Sequence, residues 1–375
     1  MSKTKGTGVD PLQLTQEYGT DALRYMLVSM AAPGSDIALS EDRLGGAKAF
    51  ANKIWNAARF IFFNFDKMEQ RGTKLEDVAA PDVREEAPYA YKGELPLADE
   101  WLFGKLAATV GAVNEALDNY RFHEAAQSVY HFFWGDFCDW YIEWIKPDLQ
   151  DPNKERALVA WKNLFAAFDL ALRSLHPFMP FISEELWHQL PQNPGDRSIA
   201  LQEYPSARSH AVTHRVNEFA NVQEVIGQIR NMRAEMKLDP KKRVAAEIYS
   251  SDPNIREQVE RNRGGIVRLG LLSELQVGAQ KLPETGGITR STGQFEVRIP
   301  YAADTVDVAA ELTRLKKEIE GLQKAIRSKE SQLGSVTFRE RAPQNVIQQM
   351  ENALAEQRIE LQKLLERQRR LKDAA

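Results

Sequence analysis

Apolar residues recur at three- and four-residue intervals through most of the chain up to Met236, and that period predicts helices. Leu23, Met26, Leu27 and Met30 set such a stripe within Leu12–Met30. Ser40, just ahead of Glu41 and Asp42, has the chemistry of an N-cap for a second helix reaching Phe65. The series continues over Leu97–Leu117, Phe122–Ile145, Arg156–Leu175 and Val212–Met236. Six or so helices joined by polar linkers predict an antiparallel helical bundle. Gln70–Gly93 and Pro191–Ser209 read as long surface connections. All seven Trp lie between Trp55 and Trp187, so the large core belongs to this half, with Trp55, Trp140 and Trp144 assigned to it.

From Lys242 the period shortens. Val244–Tyr249, Glu274–Val277 and Gln294–Ile299 are β-prone runs separated by Gly-rich turns and one polar helix, Ile255–Arg261, which predicts a small α/β module. After Pro300, Leu312, Leu315, Ile319, Leu322, Ile326 and Leu333 restore the helical stripe, and Met350, Leu354, Leu361, Leu364 and Leu371 resume it after Gly334–Pro343. Two such arms about a Gly/Pro break predict an antiparallel coiled-coil hairpin, each arm of about 24 residues and roughly 36 Å. The expected fold is thus mainly α, in four segments: 1–35, a loop and its following helices; 36–238, the bundle; 239–305, the α/β module; and 306–375, the hairpin.

A length of 375 residues suits two or three domains. A formal charge of -4 excludes a uniformly basic nucleic-acid coat but not a local basic surface. One such surface is the segment from Val306, with 14 Lys plus Arg against 11 Asp plus Glu, whose cations suit phosphate contacts or an ordinary solvated coiled coil. The single cysteine, Cys138, excludes a disulfide framework and reads as a small buried apolar group. No apolar run approaches the roughly 20 residues that span a bilayer and no signal-peptide core is evident, so a soluble, cytoplasmic chain without membrane contact is expected. His123, His131, His176 and His188 lack acidic neighbours at metal-ligand spacing, and no bound metal is expected.

Two places carry candidate chemistry. Lys3 and Lys5, with Gly6 and Gly8 and a turn at Asp10-Pro11, suit a loop closing over a polyphosphate, or else a solvated terminus. Lys53, Asn56 and Phe60 place an ammonium, an amide and a ring along one helix face, which suits single-stranded RNA: the ring stacks on a base, the amide reads an edge, the ammonium meets phosphate. The competing reading makes Phe60, beside Ile61, Phe62 and Phe63, a core residue. Arg43, early in the same helix, is a further tRNA-binding candidate.

Several strings in order resemble the C-terminal half of the class I aminoacyl-tRNA synthetases, specifically the valyl-tRNA synthetase family. Met1-Ser2-Lys3-Thr4-Lys5-Gly6 matches that family's Lys-Met-Ser-Lys-Ser loop from its second residue, followed by Val9-Asp10-Pro11 and Tyr18 to Arg24. Phe50 to Phe60, Cys138 to Glu143, Leu175 to Phe181 and Ile229 to Met236 follow as landmarks in the usual order. The resemblance implies that Lys3 is both catalytic and ATP-binding, stabilising charge on the α-phosphate when valine is activated with ATP and Mg2+ by the full enzyme. It implies tRNA(Val) as partner of the bundle and the arm, and a monomer. Thr4 stands for the usual Ser and Thr7 for a frequent Asn. The nucleotide-binding motif, the valine-binding sheet and the editing domain belong to the family's N-terminal half, so this polypeptide alone is not expected to aminoacylate or edit. Two other readings stay open: a non-enzymatic coiled-coil scaffold, and the equivalent region of an isoleucyl-tRNA synthetase.

Overall fold

The computed structural model describes residues 10–34, 39–70, 72, 74, 78, 95–190, 198–206, 214–283, 287–300, 308–334, and the scattered positions 350, 353–355, 357, 358, 361, 362, 364, 365, 368 and 369. The chain divides into two compact units, Met1–Phe219 and Ala220–Ala375.

The first unit is helical. Asp10 caps α1 (Pro11–Tyr18), accepting from the Leu12 amide at 3.0 Å. Gly19, at φ 94°, breaks the Leu12–Met30 stripe into two, so that α2 (Thr20–Ser29) leaves at a new angle. Ser40 is the cap of α3 (Glu41–Gln70), its Oγ 3.4 Å from the Arg43 amide. Buried Leu44, Ala47, Phe50, Ile54, Ala58, Ile61, Phe65 and Met68 give α3 one continuous inner stripe. Next come α4 (Leu97–Asp118) and α5 (Phe122–His131). The expected single helix Phe122–Ile145 is not one α-helix: Phe132–Ile142 is a π-helix. Its buried residues come in pairs, Phe132/Phe133, Phe137/Cys138 and Tyr141/Ile142, four to five positions apart. That spacing suits the wider i→i+5 winding and not 3.6 residues per turn. The ring of Phe137 stacks on Phe168 at 5.6 Å with planes 8° apart. Phe168 lies in α6 (Lys154–Leu175), which precedes α7 (Pro180–Trp187).

Carboxylates tie these helices together. Asp21 of α2 accepts the Phe181 and Ile182 amides at 3.2 and 2.7 Å, capping α7 from a distant part of the chain. Asp169, fully buried, accepts the Trp187 indole at 2.6 Å and pairs with Arg173 at 2.8 Å. Asp99 accepts the Tyr141 hydroxyl at 2.6 Å. Cys138 is buried, as its composition suggested, and burial pushes its thiol up to about 12.

α8 (His214–Glu235) belongs to the first unit up to Phe219, whose ring lies 4.6 Å from Trp101 and 5.0 Å from Trp144, and to the second unit thereafter. In the second unit, β1 (Val244–Tyr249) alternates buried and half-buried residues, as a strand covered on one face does. Asp252 caps α9 (Pro253–Arg261). α10 (Arg263–Leu269) was not expected, because Gly264 and Gly265 weaken any helix signal. β2 (Leu272–Gly278) pairs parallel with β1. β3 (Gly287–Ser291), also unexpected, is a short edge strand without an apolar alternation. β4 (Glu296–Pro300) joins β3 and β1 antiparallel, giving the order β2-β1-β4-β3. Arg233 of α8 donates to the Leu271 carbonyl at 3.2 Å, fastening the helix to the sheet module.

α11 (Val308–Gly334) carries the apolar stripe of the expected first arm over roughly 40 Å. Ile326 and Leu333 pack with Leu354 of the second stripe, flanked by Leu322, Met350 and Leu361, and Arg358 pairs with Glu330 at 2.6 Å. Of the expected break Gly334–Pro343, residues 335–343 lie outside the described residues.

Burial pushes the Asp99 carboxyl up to about 7, against the lowering hydrogen bond from Tyr141. In the unfolded chain an Asp titrates near about 4. The folded chain therefore holds this proton more tightly, and Asp99 withdraws stability as pH rises from about 4 toward 7, by up to about 1.4 kcal/mol per pH unit. Urea melts across that window should show a shallower decline in Asp99→Asn than in the parent; parallel declines would contradict the assignment.

Candidate functional site

The candidate residues Lys53, Asn56 and Phe60 fall on α3 between its buried stripe and its outermost face. Asn56 is exposed, while Lys53 and Phe60 are half-buried at the margin. The bland reading of Phe60 holds in part, since the ring packs against the bundle core, yet it also keeps an open side. Arg43 is exposed and ten residues earlier, about 15 Å along the axis, with one guanidinium nitrogen 3.1 Å from the Met30 sulfur. The fold thus gathers Lys53, Asn56 and Phe60 and leaves Arg43 apart. Lys3 lies outside the described residues.

A second wall comes from the π-helix and the turn after it. Lys53 Nζ lies 2.6 Å from Asp139 Oδ1 and 5.3 Å from the centre of the Trp134 ring. Burial by itself lowers the Lys53 pKa, but the hydrogen bond and negative charge of Asp139 outweigh it, so the ammonium is held charged. Lys146 Nζ sits 5.1 Å from the centre of the Phe60 ring and bonds both Glu143 oxygens, at 2.6 and 2.7 Å. Ring, ammonium and carboxylate therefore alternate along the seam between α3 and the π-helix.

Sequence reasoning did not assign Trp134, Asp139, Glu143 and Lys146 to this place. Trp134 and Asp139 are five residues apart, about 140° around an α-helix, and only the wider winding brings both to one ammonium. The signal that was available is the paired spacing of the large apolar residues from Phe132 to Ile142. Trp55 also departs from expectation: it is 41% exposed, on the flank of α3, because the buried stripe runs through Ile54 and Ala58 instead. Trp140 and Trp144 are half-buried against the core. Farther along α3, Phe63 is 61% exposed, with Lys67 Nζ 4.1 Å from its ring centre. Exposed rings beside cations extend the same character toward the C-terminal end of the helix.

Other clusters have different chemistry. A cleft of about 380 Å³ lined by Asp99, Asp148, Asn153, Glu155 and Arg156 is rich in acids, and Arg156 is already paired with Asp148 at 3.1 Å, which suits no polyanion. His188 does meet an acid, Glu184, at 2.9 Å, contrary to expectation. Glu184 also accepts from Ser198 Oγ at 2.9 Å, so the contact fastens a loop to α7. Among the described residues no three His, Cys, Asp or Glu side chains group as a metal site would, and no helix is long and apolar enough to cross a membrane.

Comparison with known proteins adds a second kind of evidence. Residues 99–249 match the anticodon-binding domain of tRNA ligase, and residues 307–372 match the valyl tRNA synthetase tRNA binding arm. The chain is 38% identical over 367 residues to the valine-tRNA ligase of Solibacter usitatus, an overlap of 97% of this chain and 39% of that protein. The corresponding enzyme of Geobacter sulfurreducens is 37% identical over 95% of this chain and 38% of its own. That of Thermotoga maritima is 36% identical over 97% of this chain and 39% of its own. The chain spans about two fifths of the length of these relatives.

The placement of Trp55 is open to a direct check. Trp101, Trp161 and Trp187 are buried, whereas Trp55 is open to solvent. Acrylamide should quench the parent more steeply than Trp55→Phe, with a stability change within about 0.5 kcal/mol as for other surface substitutions. Identical quenching curves would put Trp55 back in the core.

Proposed function

The chain matches the C-terminal region of the valyl-tRNA synthetases over nearly its whole length, and from that premise we propose that it binds tRNA(Val) for a valine-tRNA ligase. The single observation that carries this reading is the seam on α3, where a half-open Phe60 ring stands among Lys53, Lys146 and Asn56. A ring of that kind stacks on an unpaired base, the amide of Asn56 pairs with a base edge, and the ammonium groups meet phosphates by exchanging their contacts with Asp139 and Glu143. Arg43 extends the contact toward the start of the helix.

In this reading the segment from Val306 acts as an antiparallel coiled-coil arm, supported by the packing of Leu354 on Ile326 and Leu333 and by the Arg358–Glu330 pair. Its excess of three positive charges favours backbone contacts without base selectivity. The four segments 1–35, 36–238, 239–305 and 306–375 then serve as catalytic loop and stem contact, anticodon binding, spacer module and arm.

Lys3 contributes to valine activation in the full-length enzyme. Charge builds on the α-phosphate of ATP as the valine carboxylate attacks and pyrophosphate leaves, and an ammonium fixed there lowers the barrier without moving a proton. ATP, Mg2+ and valine are ligands of the complete enzyme, which acts as a cytoplasmic monomer. A coiled-coil scaffold and an isoleucyl enzyme are both disfavoured by the match of residues 307–372 to the valyl arm.

Binding of tRNA(Val) and of a tRNA with an unrelated anticodon to the chain tests the proposal. Phe60→Leu, which keeps apolar volume toward the core, should weaken tRNA(Val) by about 1–2 kcal/mol, as loss of one base stack does. Affinity should also fall steeply with salt. Equal affinity for both tRNAs, unaltered by Phe60→Leu, would defeat the proposal, and self-association without tRNA binding would favour the scaffold.

A further inference from the structure

We propose that the turn joining α8 to β1 is a docking surface for the phosphate backbone of RNA, with Lys237 and Lys241 as its contact residues. The inference rests on the reading of the chain as a tRNA-binding protein, and it adds a site separate from both the α3 seam and the arm.

Three observations carry it. First, residues 237–243 hold Lys237, Lys241, Lys242 and Arg243 against one acid, Asp239, in a chain whose formal charge is -4. The Asp239 carboxylate accepts the Lys241 amide at 2.7 Å and so braces the turn, while Lys237, Lys241 and Arg243 are exposed. Second, two guanidiniums here are held by neutral acceptors. Arg233 donates to the Leu271 and Asp239 carbonyls at 3.2 and 3.4 Å, and Arg243 to the Leu272 carbonyl at 2.9 Å. A carbonyl fixes a guanidinium without cancelling its charge, so both add to the positive potential of the turn. Arg233, only 7% exposed, does so from beneath, where solvent screens it least.

Third, Lys237 is strained. With φ at 51° it ends α8 in the left-handed conformation of a Schellman motif: its amide donates to the Ala234 carbonyl at 3.0 Å, and the Leu238 amide to the Arg233 carbonyl at 3.1 Å. Glycine takes that conformation freely, whereas a lysine pays in backbone energy. A cation near a helix C-terminus offsets the helix dipole, but Arg233 already supplies one in the last turn. A lysine in a glycine's place within a basic turn is accounted for by a ligand outside the chain.

The arrangement of the cations names that ligand. A small anion is held by groups that converge around it, whereas these cations are spaced along an exposed turn, as a row of phosphates requires. Contacts of this kind carry no base information, so a fully paired RNA is met as readily as an unpaired one.

Fluorescence anisotropy of the whole chain with tRNA(Val) and with a blunt RNA duplex, at several salt concentrations, tests this alongside urea melts. Lys237→Gly removes strain and charge together. It should raise the urea midpoint, yet weaken both RNAs about fivefold near 0.1 M salt and flatten the slope of log K against log salt by about 0.9, one phosphate contact. Lys237→Arg keeps the charge and the strain and should match the parent in all three readouts. Lys241→Gln should flatten the slope by a similar step without moving the midpoint, which keeps the test intact if the glycine variant folds poorly. A Lys237→Gly protein with a higher midpoint but parental affinity and slope would make the turn an ordinary solvated surface and overturn the proposal. Binding of tRNA(Val) that responds to Phe60→Leu and to neither lysine variant would overturn it and leave the seam reading standing. A parent that binds neither RNA would overturn both.

Discussion

Six large or apolar side chains between Phe132 and Ile142 enter the bundle as adjacent pairs four to five residues apart, and no α-helix can bury all of them on one side. The wider π winding can, at the expense of the better hydrogen-bond geometry of an α-helix. Phe133, Phe137 and Tyr141 then form a continuous aromatic column, with centroids 5.9 and 6.1 Å apart, against which Phe168 of α6 stacks. The same column sets Tyr141 beside Asp99 and, on its outer side, Trp134 and Asp139 beside Lys53. The core of the first unit and the chemistry of its surface seam thus depend on one backbone geometry.

That geometry also gives the seam its electrostatic character. Phosphate binding rewards unpaired cations, whereas here each ammonium faces a carboxylate and a ring. Unselective attraction suits the segment from Val306, whose charge is locally positive although the chain as a whole is acidic. Division of labour between selective contacts to bases and unselective contacts to backbone is the general pattern of nucleic-acid recognition.

Buried carboxylates form the second structural theme. Asp21, Asp99 and Asp169 each fasten elements far apart in sequence: α2 to α7, α4 to the π-helix, and α6 to α7. Each is satisfied by donors of defined direction, which fixes helix register more sharply than apolar contact does. Asp99 is met by neutral donors, the Tyr141 hydroxyl first among them, and the cost of burying its charge outweighs them and raises its pKa.

The amino-acid sequence by itself determined the helical stripes of the first unit, the Ser40 cap, three of the four strands, the apolar stripe of α11 and, through its ordered landmark strings, the family. These are properties of local spacing and local chemistry, which a linear reading captures. Lys53, Asn56 and Phe60 were legible for the same reason, since three- and four-residue steps along one helix define a face. Only the tertiary structure decided that Phe132–Ile142 is a π-helix, that Trp55 faces solvent, and that Asp139, Glu143 and Lys146 complete the seam. Those outcomes depend on which neighbour a side chain meets across the bundle, where burying the paired apolar residues of Phe132–Ile142 outweighs the better hydrogen-bond geometry of an α-helix. Arg263–Leu269 and Gly287–Ser291 escaped the linear reading for a related reason: their glycine-containing segments have little intrinsic preference and take their form from the sheet module that surrounds them.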